Sequence, residues 1–191
     1  MGRPLFGPTD PNTPPLGAVK FISKATWFVV QGITSIIRGG FQQLRAQNIE
    51  TLPIPPATPE QQAELSALAT AAAQAASERL ATQRNVARRI TDLCPSTPPK
   101  GAEATLGDKL SRWWLLPDFK AFQTEVARRF KTDIPLRERD DWQALFEQEK
   151  VHVQQLGASI AAVERSIDQI VYTLFGLSPA ELALIERALT G

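Results

Sequence analysis

DWQALFEQEKVHVQQLGASIAAVERSIDQIVYTLFG, residues 141–176, decides the fold. Its apolar positions include Trp142, Leu145, Leu156, Ile160, Val163, Ile167, Ile170 and Leu174. From Leu156 onward they follow in steps of 4, 3, 4, 3 and 4, a narrow helical stripe of coiled-coil type. At the α-helical rise such a helix is about 50 Å long. Its end is signalled locally. Gly176 stands where a left-handed C-terminal cap belongs, and Leu177 follows as the apolar partner of that cap. Ser178-Pro179-Ala180-Glu181 then supplies an N-cap serine, a proline at the first helical position and a glutamate at the third. That capping box opens a last helix, Pro179 to Leu189.

A second long helix precedes it. Thr58-Pro59-Glu60-Gln61 repeats the capping-box pattern and opens a helix from Pro59 to about Leu93. Its expected inner stripe is Leu65, Leu68, Ala72, Ala76, Leu80, Ala87 and Ile90. Two helices of matched length, each with one narrow apolar stripe, predict an antiparallel pair, because neither stripe is stable in water. Between them Cys94 to Gly101 is a proline-rich turn and Trp113-Trp114-Leu115-Leu116 a dense apolar cluster. A short helix beginning at Pro117-Asp118 shows Phe119, Phe122, Val126 and Phe130 on one face. These aromatics are expected to form a knob against one end of the pair.

The N-terminal part is different in kind. Residues 1–17 hold five prolines and read as a flexible Pro/Gly-rich arm. Phe21 to Ile37 is rich in aromatic and β-branched residues, which suits a strand or a short buried helix. Arg38-Gly39-Gly40-Phe41 reads as a tight turn, and Leu52-Pro53-Ile54-Pro55-Pro56 as a stiff extended connector. The expected fold is therefore mainly α: a long antiparallel helix pair with a short helical, aromatic-rich insertion and a small mixed N-terminal segment. Its divisions are expected at 1–17, 18–57 and 58–191.

Composition narrows the function. The chain of 191 residues carries 21 Lys+Arg against 20 Asp+Glu, so whole-chain charge does not announce a nucleic-acid binder. The regional balance is uneven: residues 1–57 hold 5 basic and 2 acidic side chains, whereas 141–191 hold 3 and 7. The single cysteine, Cys94, excludes an internal disulfide framework and suits a reducing cytoplasm. The most apolar run, Ala25 to Ile37, is too short to span a bilayer. There is no phosphate loop and no dinucleotide fingerprint. One histidine and one cysteine do not build a zinc site. Cys94 and His152 read as a buried thiol and a partly buried imidazole rather than a nucleophile pair, and the carboxylates of 141–191 as mostly a solvated helix face. The aromatics Trp113, Trp114, Phe119 and Phe122 read as core rather than a base-stacking platform. Arg84, Arg88 and Arg89 share one side of the first long helix, either as a solvated face or as a phosphate-contacting stripe.

Two stretches resemble a known family. Gly39-Gly40-Phe41-Gln42-Gln43-Leu44-Arg45, followed by Ile49-Glu50-Thr51-Leu52-Pro53-Ile54-Pro55, resembles the end of a DNA target-recognition domain. Asp133-Ile134-Pro135-Leu136-Arg137-Glu138-Arg139, Trp142, Ile167-Asp168-Gln169-Ile170-Val171-Tyr172 and Leu174-Phe175-Gly176-Leu177-Ser178 with Glu181 resemble the C-terminus of large N6-adenine DNA methyltransferases. These are the fused type IIG restriction–modification proteins and their phage-defence relatives. Phe175 and Ser178 stand where that pattern has tyrosine and threonine. The chain is similar, more loosely, to specificity subunits of type I restriction systems.

The resemblance implies that 18–57 is a remnant of a target-recognition domain and 58–191 a coiled-coil spacer or docking domain. It implies duplex DNA and a methyltransferase domain or subunit as partners, with no membrane, in the cytoplasm. The family's S-adenosylmethionine glycine motif and its Asn-Pro-Pro-Tyr-type motif are both absent here. No catalytic, cofactor-binding or metal residue is therefore assigned, and S-adenosylmethionine is expected only in the parent or partner enzyme. The expected DNA contacts are Arg38, Gly39, Gly40 and Arg45. The expected role is a non-catalytic DNA-recognition and scaffold segment of a restriction–modification or phage-defence methyltransferase. The other reading is a helical protein–protein interaction module without DNA contact, such as an accessory subunit or gene remnant.

Overall fold

The computed structural model describes residues 23–33, 35–37, 41–43, 55–103 and 105–190. The fold is mainly α. In chain order come α1 (Lys24–Ile33), β1 (Ser35–Ile37), β2 (Phe41–Gln43), α2 (Pro59–Asp92), α3 (Gly107–Ser111), a 3-10 turn (Trp113–Leu115), α4 (Phe119–Phe130), a second 3-10 turn (Leu136–Glu138), α5 (Arg139–Phe175) and α6 (Pro179–Thr190). The two strands pair antiparallel, with Ile37 opposite Phe41.

The ends of the long helices form by the chemistry their sequences encode. At the start of α2 the Thr58 amide donates to Gln61 Oε1 (2.9 Å) and the Gln61 amide to Thr58 Oγ1 (3.3 Å). At the start of α6 the Ser178 amide donates to Glu181 Oε2 (2.8 Å) and the Glu181 amide to Ser178 Oγ (3.4 Å). Both are reciprocal capping boxes. Helix α5 stops at Gly176, whose φ is +61°. The Gly176 amide reaches Thr173 O and the Leu177 amide reaches Tyr172 O, each at 3.1 Å. This double closure is a Schellman cap, and it requires a left-handed residue at the glycine position.

Of the two readings for Phe21 to Ile37, helix holds over Lys24–Ile33. β-Propensity is a weak preference, and here a local cap overrides it. Ser23 is the N-cap: the Thr26 amide donates to its Oγ at 3.2 Å.

The chain divides into two compact units, one running through Ala73 and resuming at Ala161, the other Gln74–Ile160. Within the first, Leu65 and Ala69 of α2 meet Ile167, Val171 and Tyr172 of α5, and Ala25 of α1 and Ile185 of α6 close the same cluster. Helix α1 also packs directly on α6. Within the second, Val86 and Ile90 of α2 meet Phe146 and Val153 of α5. In each unit an early part of one long helix faces a late part of the other, as an antiparallel pair requires.

The aromatic insertion fills the second unit. Trp113, Phe122, Val126 and Phe130 are at most 1 % exposed. Phe122 stacks on Phe146 with ring centroids 5.2 Å apart and on Trp142 at 6.0 Å. The Trp113 Nε1–H donates to the Gln83 carbonyl of α2 at 3.3 Å, which satisfies the one polar atom of an otherwise apolar side chain. Helix α4 is opened by Asp118, whose Oδ1 accepts from the Ala121 amide at 2.7 Å.

The inner stripe of α2 differs from the sequence expectation. Leu80 is exposed, whereas Ala69 and Val86 are buried. The observed seam is Leu65, Ala69, Ala72, Ala76, Arg79, Gln83, Val86 and Ile90, in alternating steps of four and three, with its middle three members half-buried. An alanine-rich helix has apolar residues on several sides, so sequence alone does not fix which arc turns inward. On α5, Phe146, Val153, Ile160 and Ile167 are buried at a strict seven-residue spacing, and Phe146 takes the place expected for Leu145.

Deleting the ring at the centre of the insertion tests this packing. Phe122→Ala is expected to lower unfolding free energy by roughly 3–5 kcal/mol. Chemical denaturation followed by tryptophan fluorescence reads it, and a loss below about 1 kcal/mol contradicts the packing described.

Candidate functional site

The densest polar arrangement in the first unit lies where α1, α5 and α6 meet. It is built on Asp168, whose Oδ1 accepts the backbone N–H of Lys24 at 2.8 Å. Lys24 is the first residue of α1, so its amide is one of the donors a helix leaves unpaired at its N-terminus. The carboxylate satisfies that donor and lies at the positive end of the helix dipole. The Lys24 ammonium in turn grips both oxygens of Glu186 on α6, at 2.8 and 2.9 Å. Tyr172, one turn along α5 from Asp168, places its hydroxyl 3.3 Å from Glu186 Oε1. Four side chains from three helices thus form one clasp.

Burial sets its electrostatics. Asp168 is 5 % exposed. Desolvation pushes its carboxyl above the ordinary aspartate range, against the Lys24 amide bond that favours the charged form. Burial also pushes the Tyr172 phenol up to about 12, helped by the neighbouring Asp168 and Glu186 charges. Glu186 moves the other way, lowered chiefly by its hydrogen bond to Lys24. Lys24 is raised by the same bond. The arrangement holds a tyrosine neutral and a lysine charged at neutral pH, which suits a structural tie.

A second ionic cluster lies in the other unit. Glu125 of α4 is buried and receives Lys109 of α3 at 2.6 Å and Arg128 at 2.8 Å. Its carboxyl is lowered, first by the Lys109 bond. On α5, His152 Nε2 lies 3.1 Å from Glu78 Oε1 on α2. Arg79 is half-buried, its guanidinium 3.8 Å from where a Cβ on Gly157 would stand.

The residues singled out in the sequence fall as follows. Arg38, Gly39, Gly40 and Arg45 lie outside the described residues. Trp113, Phe119 and Phe122 are core. Cys94 packs against the aromatic cluster while His152 bonds to Glu78, so each has its own neighbours. Arg84, Arg88 and Arg89 are exposed. Asp168 is the buried exception among C-terminal carboxylates read as mostly a solvated face. A carboxylate beside Ile167 and two residues before Ile170 was the available signal. Its partners Lys24 and Glu186 had none, because nothing local joins them. Among the described residues no His/Cys/Asp/Glu group is placed to hold a metal ion, and no helix is long and apolar enough to cross a membrane.

The class that this geometry defines is a helical-hairpin protein whose long helices carry an aromatic insertion and a polar clasp. Residues 58–171 match a family described as Domain of unknown function (DUF8810), and the chain belongs to that family. No curated protein and no solved structure matches the chain. The matched region begins on the Thr58 cap of α2 and ends within α5. It therefore contains Asp168 but neither Lys24 nor Glu186.

Two substitutions test the clasp. Asp168→Ala removes the acceptor of the Lys24 amide and is expected to cost about 1–3 kcal/mol, with faster hydrogen exchange across α1. Asp168→Asn keeps an acceptor oxygen and is expected to cost less. Equal exchange in all three proteins contradicts the role.

The pH dependence follows from Glu125. Its folded-state pKa is depressed, so its stabilisation is present above the ordinary glutamate pKa and is lost as pH falls through the lowered value. Glu125→Gln is expected to be less stable than the parent at neutral pH. It is expected to lose less stability on acidification, read as the change in denaturation midpoint between neutral and acid buffer.

Proposed function

We propose that the chain is a non-catalytic DNA-recognition and scaffold segment of a restriction–modification or phage-defence DNA methyltransferase system in the cytoplasm. The observation that supports it is the use made of the resembling stretch Ile167-Asp168-Gln169-Ile170-Val171-Tyr172. Its two buried polar positions, Asp168 and Tyr172, are those that tie α1 and α6 to α5. The residues most specific to the resemblance thus serve a joint. A joint of this kind suits a spacer that must hold a recognition segment at a fixed place. In this reading Arg38 and Arg45, beside Gly39 and Gly40, contact duplex DNA. The partner methyltransferase supplies S-adenosylmethionine and all of the chemistry.

A second reading, a helical interaction module without DNA contact, is favoured by one specific observation. Trp27 and Phe28 on α1 are 41 % and 40 % exposed, and Leu184 on α6 is 57 % exposed. Exposed aromatics are common anchors in protein interfaces.

Binding measurements separate the two. On the first reading the full chain binds duplex DNA, and Arg38→Glu with Arg45→Glu weakens that binding, most strongly at low salt. On the second it binds a methyltransferase subunit and no duplex, and Trp27→Ala reduces that binding. Full-strength duplex binding by the Arg38→Glu, Arg45→Glu variant removes those two residues from the proposal.

A further inference from the structure

Among the described residues some cations are paired and others, Arg79, Lys100, Lys120 and Lys131 among them, make no ion pair. Lys24, Lys109, Arg128, Arg129, Arg137 and Arg139 each stand within ion-pair distance of a carboxylate. Arg84, Arg88 and Arg89 of α2 do not. Each is exposed, and none makes an ion pair or hydrogen bond among the described residues.

Their placement is not neutral for the fold. Arg84 and Arg88 are one helical turn apart, about 6 Å along the axis, where like charges oppose each other by a few tenths of a kcal/mol. Val86 and Ile90 on the same stretch are buried, which turns Arg84 and Arg88 outward. Arg89 sits nearer the seam with α5. There Arg88 and Arg89 line an open groove with Thr82, Asn85, Val86, Leu145 and Glu149. Asp92, one turn beyond Arg88, and Glu149, across the groove, form no ion pair with them. The face therefore keeps an excess of positive charge, with two neutral hydrogen-bonding side chains beside it.

The chemistry of a matching partner follows. Protein interfaces are centred on a desolvated core in which aromatic residues are the usual anchors beside arginine. Of the exposed large hydrophobic residues α2 carries one, Leu80, a turn before Arg84, and leucine is under-represented among such anchors. Phosphate needs no such anchor, and the guanidinium fork matches it in charge and geometry. Asn and Thr are common secondary donors to phosphate oxygens.

We infer that Arg84, Arg88 and Arg89 form a sequence-independent contact face for the phosphate backbone of duplex DNA. It is a second surface, separate in sequence from Arg38 and Arg45. The inference rests on the DNA-recognition role proposed above. It adds that the helical part grips the duplex as well as spacing the recognition segment.

Fluorescence anisotropy of the full chain with a labelled duplex of arbitrary sequence, over a range of salt concentrations, tests it. The logarithm of affinity falls with the logarithm of salt by about 0.9 per phosphate contact. The triple variant Arg84→Gln, Arg88→Gln, Arg89→Gln is expected to flatten that slope by roughly 3 and to weaken binding at least tenfold. The triple lysine variant, which keeps the charge, is expected to retain the slope. Arg88→Gln alone should flatten it by about 1, which keeps the test open if the triple variant folds poorly by circular dichroism. A glutamine triple that binds like the parent, with an unchanged slope, overturns the arginine face and leaves the DNA role standing. A parent chain that binds no duplex overturns the DNA role and the face together.

Discussion

The constraint on which the rest of this structure depends is the poverty of the α2 seam. Its inward positions run Leu65, Ala69, Ala72, Ala76, Arg79, Gln83, Val86 and Ile90. Alanine contributes little apolar area, and arginine and glutamine leave polar ends to be accommodated. Buried leucine, valine and isoleucine occur only toward the two ends of the helix. Each end is completed by other elements. In one unit α1 and α6 close over Leu65, Ile167 and Val171. In the other the aromatic insertion closes over Val86, Ile90 and Phe146. A hairpin of two such helices alone would cover its stripes only in part. The additions are thus conditions of stability.

That division explains what was legible in the sequence. Capping boxes at Thr58 and Ser178 and the Gly176 stop are strictly local patterns, and they formed as read. The face of α4 was legible because Phe119, Phe122, Val126 and Phe130 are large and fall on one arc. The register of α2 was not. Leu80 is apolar and points outward, while Arg79 turns inward at the glycine of α5. When alanine dominates, hydropathy does not distinguish inside from outside, and the partner helix decides. The clasp was illegible for another reason. Lys24 and Asp168 are 144 positions apart, and Lys24 and Glu186 are 162 apart. Of the expected DNA-contact residues Arg38, Gly39, Gly40 and Arg45, none falls among the described positions.

The two polar clusters solve a shared problem in different ways. Glu125 is buried but has two cations, so its charge is retained and its carboxyl is lowered. Asp168 is buried with a backbone amide as its nearest partner, so desolvation wins and its carboxyl is raised. A buried charge with such modest compensation stabilises a fold poorly compared with an apolar residue. What it supplies is direction. An acceptor at that point satisfies the first amide of α1, and the helix N-terminus gives that acceptor its donor. The pairing fixes which end of α1 meets α5.

Direction is what a spacer requires. Apolar packing of α1 on α5 and α6 tolerates sliding, because dispersion and area burial are nearly indifferent to small shifts. The bidentate Lys24–Glu186 pair, the Asp168 cap and the Tyr172 hydroxyl are not indifferent, since each has a short range and a preferred angle. Two such contacts from one helix terminus, with the Tyr172 hydroxyl holding Glu186 in place, leave α1 little freedom to rotate or translate without breaking one of them. Whatever follows α1 in the chain begins from a defined position on α5 and α6. The clasp therefore converts a loosely specified apolar contact into a fixed geometry, at the cost of a buried carboxylate that the core itself does not need.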